Sequence, residues 1–210
     1  MDGETPVARR LDGDQLVIAS HNAGKLREID ALVKPFGFNA ISVGEFGAPA
    51  PAETATSFAG NAAIKAHAAS QQSGLPALAD DSGLEVTALN GAPGIYAADW
   101  AEETPGGPRD FDRAMLRVHN AMRESKSDDP SARFVCCLCL AWPDGHPETF
   151  QGSVQGEIVW PPRGHNGFGY DPVFLYPELG RTFAEIDPAL KHSLSHRADA
   201  FAQLTAACLA

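Results

Sequence analysis
The apolar run Leu75 to Ala79 stops at two adjacent carboxylates, Asp80 and Asp81, followed by Ser82, Gly83 and the alternating Leu84-Glu85-Val86. Charged side chains are almost never buried without partners. A core strand that closes on an acidic pair therefore delivers both charges to a cleft or to a helix start. There the pair holds a cation, moves a proton, or caps a helix as part of a polar turn. The segment by itself leaves all three open.

The chain of 210 residues is 44% apolar, enough for one large domain or a domain with two lobes. Residues 1–14 are expected to form a flexible polar tail, and 15–210 a single domain. No apolar run reaches the ~18 residues that cross a bilayer, and the start lacks the apolar core of an export signal. A cytoplasmic protein with no membrane partner is expected. Cys136, Cys137 and Cys139 share one predicted strand, and Cys208 lies near the end. Alternating strand positions do not suit a disulfide framework, and Cys137-Leu138-Cys139 lacks the Cys-x-x-Cys spacing of a zinc site, so these are read as small core residues of a reducing compartment. A net charge of -11 argues against nucleic acid as a partner. An anionic ligand would need locally gathered positive charge, yet Lys65 is the single Lys or Arg between Lys34 and Arg109.

Leu16 to Ala19 reads as a buried strand that breaks at Ser20-His21-Asn22-Ala23-Gly24 into an amphipathic helix carrying Leu26, Ile29, Leu32 and Val33. Pro35 and Gly37 stop it. Ala48 to Ala52 is a Pro/Ala loop leading to Glu53, and Ser57 caps an alanine-rich helix to about Ser70. A helix from Phe111 to about Arg123 follows. Next come a strong strand from Phe134 to Trp142, a turn at Asp144-Gly145, and a returning strand from Gly152 to Trp160. A single closing helix is expected from about Lys191 to Leu209. This order predicts a mixed α/β sheet.

Ser20 to Lys25 (Ser20, His21, Asn22, Ala23, Gly24, Lys25) lies where a strand becomes a helix. Unpaired N–H groups there favour a phosphate, although a polar N-cap explains the same residues. Asn61 and Lys65 share a helix face; Lys65 is read either as a solvated surface lysine or, with no other base nearby, as set against a phosphate or Asp81. Phe168 and Tyr170 flank Gly169 in a loop, where they either fill the core or stack on a flat heterocycle, the glycines favouring the second. Lys191 to Arg197 gathers four groups that can be positive.

Six segments together resemble the inosine triphosphate pyrophosphatase family. They are Ser20-x-Asn22-x-x-Lys25-x-x-Glu28, Asn61-Ala62-x-x-Lys65-Ala66, Ala79-Asp80-Asp81-Ser82-Gly83-Leu84, Gly91-x-Pro93-Gly94, Gly167-Phe168-Gly169-Tyr170-Asp171-Pro172 and Ser195-His196-Arg197. They stand in family order over residues 16 to 205. The resemblance implies an α/β fold with two lobes around a long mixed β-sheet and flanking helices, an active site in the central cleft, a homodimer and Mg²⁺. It also implies hydrolysis of ITP, dITP and XTP to the monophosphate and pyrophosphate. Carried over by position, Asp81 is the base and a metal ligand, and Glu53 the second metal carboxylate. Ser20 through Lys25 and Lys65 meet the phosphates. Ser82, Phe168, Gly169, Tyr170, Asp171, Lys191, His196 and Arg197 hold the nucleotide, Arg197 donating to a 6-oxo group.

Asp80 is left open, as a metal ligand or as the residue that orients Lys65. The chain departs from the resemblance at Gly60, where similar bacterial proteins often carry glutamate, so the metal shell would rest on Glu53, Asp80 and Asp81. Two other readings compete. A sensor without catalysis would not need Glu53, Asp80 and Asp81. A house-cleaning pyrophosphatase for another modified nucleotide would not need the donor at Arg197.

Overall fold
The computed structural model describes residues 8–47 and 49–209. In chain order the elements are β1 (Gln15–Ile18), α1 (Ala23–Val33), β2 (Asn39–Ser42), α2 (Phe58–Ser73), β3 (Ala77–Val86), β4 (Pro93–Gly94), α3 (Phe111–Ser125), β5 (Ser131–Ala141) and β6 (Pro147–Ile158). They continue with β7 (Phe174–Tyr176), β8 (Arg181–Thr182), α4 (Pro188–Leu194) and α5 (His196–Leu204). The eight strands form one mixed sheet in the order β2-β1-β3-β5-β6-β7-β8, with β4 paired to β3. No helix among the described residues is long and apolar enough to cross a membrane.

β1 pairs in parallel with β2 (Gln15 opposite Asn39) and with β3 (Val17 opposite Ala77). Parallel neighbours require crossovers, and α1 and α2 supply them. The two connections step in opposite directions across β1, so right-handed crossovers put α1 and α2 on opposite faces. α2 is capped by Ser57, whose Oγ accepts from Gly60 N at 3.1 Å, and ends at Gly74 in the left-handed region (φ 70°). Its buried residues Phe58, Asn61, Ala62, Ala66, Ala69 and Ser70 recur at helical spacing.

The chain divides into two compact units, one within 1–81, 137–152 and 198–210 and the other within 82–136 and 153–197. The first has a core of small side chains, Ala62, Ala66 and Ala69 of α2 against Val17, Ala77, Ala79, Cys139 and Ala141. The second has a larger and more aromatic core, with Leu84, Val86, Met115, Phe134, Tyr170, Phe174 and Phe183.

Four sequence expectations are corrected. The acidic pair does not close a strand; Asp80 and Asp81 sit in the middle of the unbroken β3. β2 is an additional strand, in a segment without an apolar run. β7 and β8 extend the sheet beyond the predicted hairpin. The closing helix is broken at Ser195, whose backbone is extended (φ −80°, ψ 156°), and ends in one π-helical turn over Thr205–Leu209. Of the expected tail, residues 1–7 lie outside the described residues. Further on, Arg9 N donates to Glu148 Oε1 and the buried Leu11 donates its N–H to Cys208 O.

Candidate active site
Consecutive strand residues face opposite sides of a sheet. Asp80 and Asp81 therefore meet the helices on the two faces of β3. Asp80, 1% exposed, has its Oδ1 2.5 Å from Lys25 Nζ in the first turn of α1. Asp81, 6% exposed, has its Oδ1 2.7 Å from Lys65 Nζ on α2. Lys65 also reaches Glu53 Oε1 at 3.2 Å. Asp80 thus pairs with Lys25 on one face of β3, and its charge also acts on Lys65. Asn61, expected beside Lys65, turns instead to the loop that carries Glu53: its Oδ1 accepts from Ala55 N at 3.0 Å.

The electrostatics of Asp81 follow from this packing. Burial pushes its carboxyl above the ordinary carboxylate range, Glu53 adds to that push, and Lys65 and Lys25 oppose it. Lys65 ends above the usual ammonium value: burial alone would lower it, and Asp81, Glu53 and Asp80 outweigh that. A carboxylate with raised proton affinity, held against an ammonium group, is suited to accept a proton.

Asp81 Oδ2 is buried and has no hydrogen-bond partner. Together with the half-exposed Glu53 it offers a pair of hard oxygen donors. No group of three or more His, Cys, Asp or Glu gathers around a common point among the described residues. A complete protein cage for zinc or calcium is thus not what these residues form. Mg²⁺ is commonly held by one or two carboxylates and completed by water and substrate phosphates. The donor set present here fits that pattern.

At the start of α1 the turn carries a side-chain cap. Asn22 Oδ1 accepts from both Gly24 N (2.9 Å) and Lys25 N (3.2 Å), and Ser20 Oγ accepts from Asn22 N (3.2 Å). The N-cap alternative describes this turn, with two of the terminal N–H groups taken by the cap. His21 and Ala23 are exposed beside it.

The predicted base-side residues fall in the second unit. Arg197, 2% exposed, donates from Nη2 to Ser82 Oγ at 3.3 Å. Ser82 directly follows Asp81 in β3. The imidazole of His196 stacks on Phe134, with ring centroids 5.0 Å apart. In the loop before β7, Asp171 is buried and accepts from Lys191 Nζ (2.7 Å) and Phe168 N (2.8 Å). Lys191 Nζ lies 4.8 Å from the centre of the Phe168 ring. Gly167 has φ +75°, and a Cβ there would fall 2.0 Å from Asp171 Oδ2, so the loop closes over the carboxylate only with glycine.

Tyr170 departs from the stacking expectation. Its ring is 3% exposed, packs edge-on against Phe111, and its hydroxyl donates to Ala97 O at 2.7 Å. Burial raises the phenol well above its ordinary pKa. Phe168 alone of the two rings remains half-exposed, with Gly169 (φ +68°) between them. Sequence reasoning gave no site role to Ala55, to Gly167, which it named only within the segment ending at Pro172, or to Phe134, which it named only as the start of a strand.

The chain is similar to known proteins over nearly its whole length. A dITP/XTP pyrophosphatase of Brucella melitensis is 54% identical over 204 residues, covering 92% of each chain. One of Rhodospirillum centenum is 55% identical over 204 residues, 96% of this chain and 98% of its own. Among solved structures, a Ham1 protein from Coxiella burnetii superposes with a TM-score of 0.84 at 40% identity, over 92% of this chain and 98% of that one. The family described as the Ham1 family matches residues 16–207, and the chain belongs to it.

Proposed function
We propose that this protein hydrolyses non-standard purine nucleoside triphosphates, ITP, dITP and XTP, to the monophosphate and pyrophosphate. The observation that carries the reading is the buried Asp81, one oxygen on Lys65 Nζ at 2.7 Å and the other buried with no hydrogen-bond partner. It stands in a chain more than half identical to pyrophosphatases of that name.

Asp81 takes a proton from the attacking water, whose oxygen bonds to the α-phosphorus as the bond to the β-phosphate oxygen breaks. Asp81 and Glu53 are the residues that would hold Mg²⁺, which when bound neutralises phosphate charge and favours the water's ionisation. Lys65 keeps Asp81 oriented through its ion pair and adds positive charge beside the leaving pyrophosphate. Lys25, in the first turn of α1 with Ser20 to Gly24, serves the remaining phosphates. Arg197, a permanent donor, pairs with the 6-oxo group that hypoxanthine and xanthine carry and adenine lacks. Phe168, backed by Lys191, supplies a ring face for the base.

The reading extends to a cytoplasmic homodimer. Four buried cysteines outside any disulfide support a reducing compartment, and the family resemblance supports the dimer. The test is pyrophosphate release from ITP, XTP, dITP, GTP and ATP, each with Mg²⁺ and with EDTA. Metal-dependent turnover of the first three far above GTP and ATP is expected. Orthophosphate as the product, or equal turnover of all five, would overturn the reading.

A further inference from the structure
The geometry points to Gly60 as a positioning residue for Glu53, acting through a contact that only glycine permits. The inference rests on the proposed metal role of Glu53. Gly60 lies in the first turn of α2, where the loop of residues 49–56 passes over the helix. A Cβ on Gly60 would fall 2.5 Å from Ala55 Cβ and 3.2 Å from Ser57 Oγ. The first distance is well inside van der Waals contact, so the loop is seated against bare helix backbone at this point.

Three further contacts define the seat. Asn61, 2% exposed, fixes Ala55 through its N–H at 3.0 Å. Ser57 Oγ caps the helix on Gly60 N at 3.1 Å. Two residues before Ala55, Glu53 reaches Lys65 Nζ at 3.2 Å, the same ammonium that holds Asp81 at 2.7 Å. Glu53 is itself half-exposed and stands on a loop, so its carboxylate is placed by this seat and by Lys65. Any side chain at position 60 must lift Ala55, strain the bond to Asn61, and carry Glu53 away from Asp81. The site's second oxygen donor is thus set by the absence of a methyl group on the neighbouring helix. Helix propensity favours alanine over glycine at a partly exposed first-turn position, so a penalty from alanine here would run against the ordinary trend.

The test compares wild type, Gly60→Ala, Ala55→Gly/Gly60→Ala and Ala55→Val. The double variant removes the methyl group that position 60 would meet. Ala55→Val crowds the same contact from the loop and leaves the helix sequence untouched. For each, ITP hydrolysis is titrated with MgCl₂, Mn²⁺ binding to the enzyme without nucleotide is followed by EPR, and Tm is recorded.

Gly60→Ala and Ala55→Val are expected to raise the half-saturating metal concentration about tenfold or more, in both assays, as for other residues that orient metal ligands. At saturating metal kcat should stay near wild type, and the double variant should return the metal dependence to within about twofold. Wild-type metal dependence in both Gly60→Ala and Ala55→Val would overturn the role of the seat. A double variant as impaired as Gly60→Ala would overturn the contact with Ala55 as its cause. Loss of kcat at all metal concentrations with unchanged Mn²⁺ binding would overturn metal positioning. Wild type without metal-dependent turnover would instead remove the proposed function, and this inference with it.

Discussion
Lys65 Nζ lies 2.7 Å from Asp81 Oδ1, with both side chains largely buried, and one face of α2 therefore holds the candidate base. Both the charge and the direction of that carboxylate depend on an ammonium group delivered by α2.

Asp81→Asn keeps the shape of the side chain and removes the base. The expected result is a loss of about 10²- to 10⁴-fold in kcat for ITP, with the fold retained by circular dichroism and binding of a non-hydrolysable ITP analogue preserved. Unchanged kcat would remove Asp81 from the chemistry.

Lys25→Met tests the other carboxylate. The Asp80 side chain is fully buried and Lys25 is 16% exposed, so deleting the lysine leaves a charge in the interior without its ammonium partner. Breaking a buried pair from one side costs about 3–5 kcal/mol, to be read from the urea midpoint. Lys25→Met/Asp80→Asn should recover most of that loss, because the buried negative charge that Lys25 faced is gone. A single variant as stable as wild type would mean that the pair contributes nothing to folding.

These pairs also mark where the sequence was legible. β1, α1 and the Ser57-capped α2 were visible because apolar periodicity and capping residues agree there. The continuity of β3 was hidden, since Asp80-Asp81-Ser82-Gly83 has the composition of a turn. Only tertiary pairing with lysines from both flanking helices lets two carboxylates sit inside a strand. β2 was missed because four residues of mixed polarity carry no pattern, and its pairing with β1 decides its state. Tyr170 illustrates the same limit at the site: glycine-flanked aromatics look alike in sequence, and only packing sends Phe168 outward and Tyr170 into the core.

The thiols offer a check on that core. Burial pushes Cys137 up to about 12 and Cys208 up to about 11, and burial also raises Cys139. A raised thiol pKa moves the reactive thiolate to higher pH, leaving about one Cys137 in 10⁴ ionised at pH 8. Native protein at pH 8 should therefore react negligibly with a thiol reagent such as Ellman's reagent over minutes, and release four equivalents in guanidinium chloride. Rapid stoichiometric labelling without denaturant would contradict the buried placement of Cys136, Cys137, Cys139 and Cys208.

Arg197 carries the proposed discrimination between oxo and amino purines. Its side chain is buried and held by Ser82 Oγ at 3.3 Å, so the guanidinium enters the reaction complex already oriented. A hydrogen bond from a charged donor contributes about 1.5–3 kcal/mol, which corresponds to roughly a 10- to 150-fold change in binding. Arg197→Ala should raise KM for ITP and XTP by about that factor while changing KM for ATP much less, because adenine carries an amino donor at C6 where hypoxanthine and xanthine carry the acceptor. Ser82→Ala, which removes only the hydroxyl that holds the guanidinium, should show the same preference at a smaller size. Arg197→Lys keeps the charge and loses the planar fork, so it should restore stability more than selectivity. Steady-state kinetics on ITP and ATP for the three variants, with Tm recorded alongside, separate recognition from folding. Equal changes in KM for both nucleotides would assign Arg197 to the framework of α5 and leave base selection to other residues.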